Sequence, residues 1–158
     1  MMDSPEQTKK CLHELLTSQK LAVLSTNEGE QPYANLVGFV ATADLKYLLF
    51  ATVRNTRKYE NLTRNPHVAL LVDSRSEQDL DFQHAMAVTV TGIAEEVTSP
   101  ERKQWLPLYL DKHPHLADFV NAPSCALIRV NVEWYYLVSH FQSVLALPMH
   151  PSTQGGKI

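Results

Sequence analysis

Hydrophobic and polar positions change rhythm several times along the chain, and each change marks an element. Ser4-Pro5-Glu6-Gln7 places a capping Ser, a Pro at the first helical position and a Gln two residues on, which is a helix start. Cys11, Leu12, Leu15 and Leu16 then fall on one face, so a short amphipathic helix covers something. From Lys20 the rhythm becomes strand-like. Leu21–Thr26 is a continuous run, Asn27-Glu28-Gly29-Glu30 reads as a hairpin turn, and Tyr33–Val40 returns as a second strand. Ala43-Asp44-Leu45-Lys46 is a turn and Tyr47–Ala51 a third strand. Arg57–Asn65 is helical and stops at Pro66. Val68–Val72 is a short apolar strand, residues 73–84 are polar and loop-like, and Met86–Gly92 alternates with period two, continuing to about Val97. Ser99-Pro100-Glu101 repeats the Ser-Pro start for a helix ending before Pro114, with a further helical piece around His115–Val120. The last strand is long. Ala126, Ile128, Val130, Val132, Trp134, Tyr136 and Val138 share one face, and Arg129, Asn131, Glu133 and Tyr135 the other.

These elements sum to six strands with helices as covers and connectors. The first three strands are joined by short turns, which excludes a parallel βαβ sheet and predicts a mainly β fold with some α, an antiparallel six-stranded barrel. Residues 1–147 form one domain, and 148–158, with Pro, Ser and Gly-Gly, read as a flexible C-terminal tail. Fourteen Lys+Arg against seventeen Asp+Glu give a net charge of −3, which argues against nucleic acid as a partner but leaves room for a local basic pocket. Met1–Glu6 has no cationic or apolar signal region, and no run approaches the ~20 apolar residues of a membrane span. Cys11 and Cys125 lie far apart and outside any C-x-x-C, so reduced thiols and a cytoplasmic setting are expected rather than a disulfide scaffold or zinc finger.

Chemistry concentrates between Phe50 and Leu62, where a strand ends, a polar loop follows and a helix opens. Free N–H groups there, the Thr56 hydroxyl and the charges of Arg57 and Lys58 would hold a phosphate. Cations in a first helical turn oppose the helix dipole at roughly 0.3–1 kcal/mol each, a conflict that a bound anion removes. Beside this stands the reading that Arg54, Arg57 and Lys58 are solvated surface cations. Asp73-Ser74-Arg75-Ser76 sits at a strand end, within reach of a ligand or a partner subunit, or simply as a solvated loop. His113-Pro114-His115 brings two imidazoles close, but no third metal ligand is placed, so no metal is assigned. The Asn61-Leu62-Thr63 sequon falls within a helix and is read as chance. No Ser-His-Asp, Cys-His or paired-carboxylate arrangement can be assembled, so no catalytic residue is named.

The order and spacing of several segments resemble a known family. These are Gln31-Pro32-Tyr33, Phe50-Ala51-Thr52, Thr56-Arg57-Lys58-Tyr59-x-Asn61-Leu62, Asn65-Pro66-His67-Val68-Ala69-Leu70-Leu71-Val72, Val88–Glu95 and Val132-Glu133-Trp134-Tyr135. Together they resemble the FMN-binding split-barrel family of pyridoxamine 5′-phosphate oxidase and its relatives over most of residues 20–140. The resemblance implies a six-stranded Greek-key split barrel that pairs as a homodimer, with FMN in two grooves between subunits. It puts Thr56, Arg57 and Lys58 at the FMN phosphate, and Phe50, Ala51 and Thr52 where third-strand groups meet the flavin. It puts Asn35, Leu36 and Val37 along the ring, with Arg75 and Trp134 as further cofactor contacts. His84 and His140 flank the long strands and could face the flavin as proton donors or serve only the structure. Departures bear on the reaction. True pyridoxamine-phosphate oxidases have an Arg and a Lys where this chain has Asn35 and, nearby, Val40. Their Gln is replaced by Ala87, and no Arg-x-His signature appears around Tyr136–Phe141. The implied activity is therefore an FMN-dependent oxidoreductase, with a small-molecule electron donor and acceptor, and not a vitamin B6 oxidase. The alternatives are a non-catalytic flavin- or haem-binding or sensing protein and a dimeric barrel without cofactor.

Overall fold

Seven antiparallel strands carry the fold: β1 Leu21–Glu28, β2 Gln31–Ala41, β3 Tyr47–Val53, β4 His67–Asp73, β5 Ala87–Glu96, β6 Cys125–Ser139 and β7 Ser143–Pro148. The computed structural model of the protein describes residues 4–76, 84–139 and 143–149. The strand order is β3-β2-β1-β4-β5-β6-β7, and an added β3–β6 pairing closes the first six into a barrel. The helices are α1 Pro5–Ser18, α2 Arg57–Arg64, α3 Arg102–Lys112 and α4 Ala117–Asn121, with a 3-10 turn over Pro114–Leu116 between the last two. None among the described residues is long and apolar enough to cross a membrane.

Local signals explain the first half. The Ser4 hydroxyl accepts the Gln7 N–H at 3.1 Å and Pro5 opens α1, whose Leu12, Leu15 and Leu16 are buried in the barrel's core cluster. Gly29, at φ +60, turns the β1–β2 hairpin with Glu28 opposite Gln31. The core divides in two. Leu24, Phe39, Leu48, Phe50, Leu70, Val90 and Ile128 fill the barrel with the α1 leucines, while Val40, Leu49, Ala51 and Leu127 face outward beneath α3 and α4, against Tyr109 and Val120. That is why Leu48–Ala51 reads as an unbroken apolar run: β3 is buried on both faces. Arg129 pins α3 to the sheet. Its guanidinium lies 5.3 Å from the Tyr47 ring centroid and 5.1 Å from that of Trp105, and it bonds to Glu95 and Glu101.

Three expectations are corrected. The helix after β5 does not use the Ser99-Pro100 start; α3 begins at Arg102 with Glu101 as a cap that makes no side-chain bond. The single face of β6 does not run through to Val138. Thr91 pairs with Trp134 and Gly92 with Val132, so Glu133 is an extra residue, a bulge that inverts the strand's alternation. Val132 points inward, and beyond the bulge Tyr135 and Leu137 do, Tyr135 donating its hydroxyl to Leu45 O at 2.7 Å. Trp134 and Tyr136 are turned outward, stacked 5.9 Å apart. Finally, Ser143–Pro148 is a seventh strand added to the edge of β6, so Pro148 lies opposite Trp134 instead of starting a tail. Residues 77–83 of the polar loop, His140 and the tail from 150 on lie outside the described residues.

Candidate functional site

The barrel splits between β2 and β3. The two strands pair only at Phe39–Phe50, Val40–Leu49 and Ala41–Leu48. Beyond that, β2 stays with β1 through Leu36 and Asn35, while Ala51, Thr52 and Val53 stay with β6. The facing edges therefore diverge, and a groove of about 480 Å³ opens there. Leu36, Val37, Gly38 and Ala51 line its strand side, and α3, the turn after it and α4 close the other with Tyr109, His113, His115 and Phe119. Lys20 and Lys58 also line it, and no acidic residue does among the described residues.

Two rings from α3 and its cap serve the freed backbone. Alternate residues of an antiparallel strand turn their polar groups to opposite edges. Phe39 N–H bonds to Lys20 O, and Gly38 O accepts the Tyr109 hydroxyl at 3.3 Å. The Tyr109 ring is buried, so α3 sends one buried hydroxyl to the edge of β2 at the split. Burial pushes the Tyr109 hydroxyl up to about 12. His113, also buried, donates from Nε2 to Phe39 O at 2.7 Å, and burial holds its pKa below the ordinary imidazole value. A Cβ at Gly38 would stand in ordinary contact with both rings, 3.4 Å from Tyr109 Oη and 3.5 Å from His113 Cε1, so the two rings pack directly on this point of β2.

The basic residues at the start of α2 are divided. Thr56 caps the helix: its Oγ accepts the Tyr59 N–H at 3.4 Å and donates to Val53 O at 2.7 Å, so its one proton is committed. Thr52 Oγ lies 3.2 Å from it. Arg54 is exposed but not free. It bonds to Glu96 at 2.9 Å and to Pro123 O at 2.7 Å, and Glu96 also accepts the Tyr59 hydroxyl at 2.7 Å. Arg57 and Lys58 are successive helical residues and cannot share a face. Arg57 lies over Tyr33, 5.4 Å from the ring centroid, and lines a separate polar hollow with Arg54 and Arg64. Lys58 lines the groove, partly buried. Burial draws its pKa down, and among the described residues it forms no ion pair.

The remaining candidates fall in several places. The side chains of Phe50 and Thr52 are buried, that of Phe50 inside the barrel, which leaves their backbone to face any ligand. Asn35 Oδ1 is buried without a hydrogen-bond partner among the described residues. Arg75 pairs with Asp73 at 2.8 Å in a small furrow that it shares with Leu21, Leu36 and Leu71. Trp134 lies on the outer face of β6, away from the groove. His84 is exposed, and Asn61 is buried with its amide on Thr26 Oγ at 3.1 Å, so the sequon is sealed inside the fold. Leu36, Val37, Ala51 and Lys58 are thus the predicted residues brought together in the groove. Lys20 and Tyr109 carry no sequence signal for it, and His113 and His115 stand out only as a possible metal pair. No local pattern marks them, because their relation to β2 is tertiary.

Comparison with known proteins places this geometry. The family model described as pyridoxamine 5′-phosphate oxidase matches residues 8–139. A protein of Schizosaccharomyces pombe described as a pyridoxamine 5′-phosphate oxidase homologue is 26% identical over 161 residues, covering 82% of this chain and 82% of that protein. Among solved structures, a haem-binding protein from Mycobacterium smegmatis superposes with a TM-score of 0.78 at 15% identity, over 89% of this chain and 57% of that one. An FAD-binding protein from Mesorhizobium loti superposes at 0.66 and 20% identity, over 82% of this chain and 90% of that one. At such identities these structures share the fold and nothing finer. The family match runs from within α1 to the end of β6, the whole closed barrel, and the chain belongs to the pyridoxamine 5′-phosphate oxidase family.

Proposed function

We propose that this protein binds FMN in the groove at the β2–β3 split, acts as a homodimer, and serves as an oxidoreductase between a small-molecule electron donor and acceptor in the cytoplasm. One observation carries the reading: an open apolar slot, flanked by two diverging strand edges, is lined by a partly buried lysine that forms no ion pair among the described residues. The slot suits a planar ring, the strand edges offer backbone donors and acceptors, and Lys58 suits a phosphate. Its size lies within the roughly 300–1,000 Å³ of small-molecule sites. Bound FMN supplies hydride and single-electron chemistry. The chain's own residues orient and shield it: Tyr109 and His113 hold the groove wall, and Phe119 and Leu116 limit access of water.

A second copy belongs to this reading. Leu21, Leu36 and Leu71 are 58%, 64% and 37% exposed beside the groove, an apolar strip suited to a partner. Arg75 and Trp134, away from the groove on their own chain, are the candidates that a partner could supply. The positions where a B6 oxidase carries an Arg and a Lys hold Asn35 and, nearby, Val40, packed under α3, and that of its Gln holds Ala87, which favours a different substrate.

The test is FMN titration followed by gel filtration and a visible spectrum. Flavin should elute with a dimer, and Lys58→Ala should weaken retention at least about ten-fold while Arg57→Ala changes it little. A protein that excludes FMN, or a Lys58→Ala variant that holds it as tightly, would sink the reading. Haem in the same groove is the second reading, favoured by His115, the exposed imidazole beside Leu116 and Phe119. It predicts a Soret band with added hemin that disappears in His115→Ala.

A further inference from the structure

A second cavity, of about 420 Å³, lies between α1, the β2–β3 turn and α3, separate from the groove. Its walls are largely apolar, formed by Leu16, Val40, Leu45 and Leu108, with His13 and Thr42 among the polar residues beside them. One cation lines it. Lys112 Nζ, at the last residue of α3, lies 3.9 Å above the Phe39 ring centroid and donates to Leu16 O at 2.8 Å, near the end of α1.

An ammonium has three donors, and the bond to Leu16 accounts for one of them. Among the described residues Lys112 forms no ion pair. Asp111 also lines the cleft, but adjacent helical residues do not face one another, and the charge that acts on Lys112 is the like charge of Lys20. Burial and that repulsion pull the Lys112 amine down to about 8. The cleft therefore combines an apolar body with a cation short of negative charge, a condition that an anion would relieve.

We propose that the cleft between α1 and α3 is a second ligand site, taking a small molecule with an apolar body and one carboxylate, with Lys112 as the counter-ion. Binding there needs no flavin, so the site stands or falls apart from the reading of the groove. The carboxylate takes the free N–H groups of Lys112 and its apolar body lies against Leu45 and Leu108. A neutral isostere makes the second contact without the first.

Benzoate and benzamide separate the two contributions. In the full-length protein with ¹³C-labelled leucine methyls, benzoate should shift Leu16, Leu45 and Leu108 with saturation. Benzamide should need at least about ten-fold higher concentration for the same shifts. Lys112→Gln should lose the preference for benzoate. Because Lys112 also bonds to α1, Ala41→Leu provides a second variant, which fills the cleft but keeps the ammonium and should lose both ligands. Equal shifts from benzoate and benzamide would overturn the proposal. So would benzoate shifts that survive in both variants, or shifts confined to Leu36 and Leu116 in the groove.

Discussion

Gly92→Ala should be among the most damaging single methyl additions in this protein, and the structure says by how much. An ideal Cβ at Gly92 would lie 2.3 Å from Asn131 O, 2.9 Å from Val130 Cγ1 and 3.0 Å from Asn131 C. The first and last are backbone atoms of β6, which cannot rotate aside, so the strands must part by about 1 Å to restore ordinary contact. Overpacking costs typically about 1–3 kcal/mol, and a backbone clash at a bulge sits at the upper end. For a chain of this length about 3 kcal/mol corresponds to a fall of about 6–12 °C in Tm. Gly29→Ala is the control. It meets nothing within 4 Å, but its φ of +60 costs an L side chain about 1 kcal/mol, or about 2–4 °C. Melting should be followed at one fixed protein concentration, because association would shift Tm by mass action. Near-UV circular dichroism should report the Trp134–Tyr136 stack, which the bulge turns outward. A Gly92→Ala protein that melts within about 2 °C of the parent, or no lower than Gly29→Ala, would refute the close-approach reasoning.

Two further outcomes follow from the groove wall and the start of α2. Tyr109→Phe removes the hydroxyl that donates to Gly38 O and should cost about 1–3 kcal/mol in a urea titration, with an unchanged midpoint refuting the role of that bond. Arg54 holds the Glu96 carboxyl below the usual carboxylate range, the Tyr59 hydroxyl assisting. A carboxylate with a depressed folded pKa adds stability above its unfolded value that disappears as pH falls through the folded one. The parent should therefore exceed Arg54→Ala by roughly 0.5–1 kcal/mol at neutral pH, with the gap narrowing below about pH 4. A gap that is flat from pH 7 to pH 3 would remove the ion pair from the account.

What could be read in the sequence was whatever local chemistry decides. Ser4-Pro5 starts α1 and Gly29 turns the first hairpin because a cap and a positive φ are properties of a few adjacent residues. The phase of β6 could not be read so. Its inversion at Glu133 depends on how closely Gly92 of β5 approaches Asn131, and an alternating string carries no mark of that. The short run Ser143–Pro148 becomes a strand because the edge of β6 is there to receive it. The site divides along the same line. The residue types around Thr56-Arg57-Lys58 marked the place, but helical geometry assigns them to different surroundings: Thr56 to the cap, Arg57 to Tyr33 and Lys58 to the groove. Tyr109 and His113 reach β2 from a helix more than sixty residues further along the chain, beyond any local signal.

The split is what the proposed assembly has to cover. A strand pair that separates leaves backbone edges in need of partners, and α3 answers for only part of them: Tyr109 takes Gly38 O at the split, while His113 takes Phe39 O on the β1 side, where Phe39 N–H bonds to Lys20 O. Leu36 stands at the centre of what remains, exposed on the outer face of β2, with Leu21 and Leu71 on neighbouring strands. Burying the rest of these three leucines would contribute about 3 kcal/mol in all, taking roughly half of a side-chain transfer for each. Association costs about 4 kcal/mol or more before any contact is made. The leucine strip alone therefore cannot hold a dimer, and a stable pair must also cover other apolar surface. The stacked Trp134–Tyr136 pair, which the bulge turns outward and leaves half-buried, lies on the same side of the sheet as Leu71, reached across β5. The inversion in β6 that hid Trp134 from the sequence thus connects this strand's bulge to the face on which the proposed assembly depends.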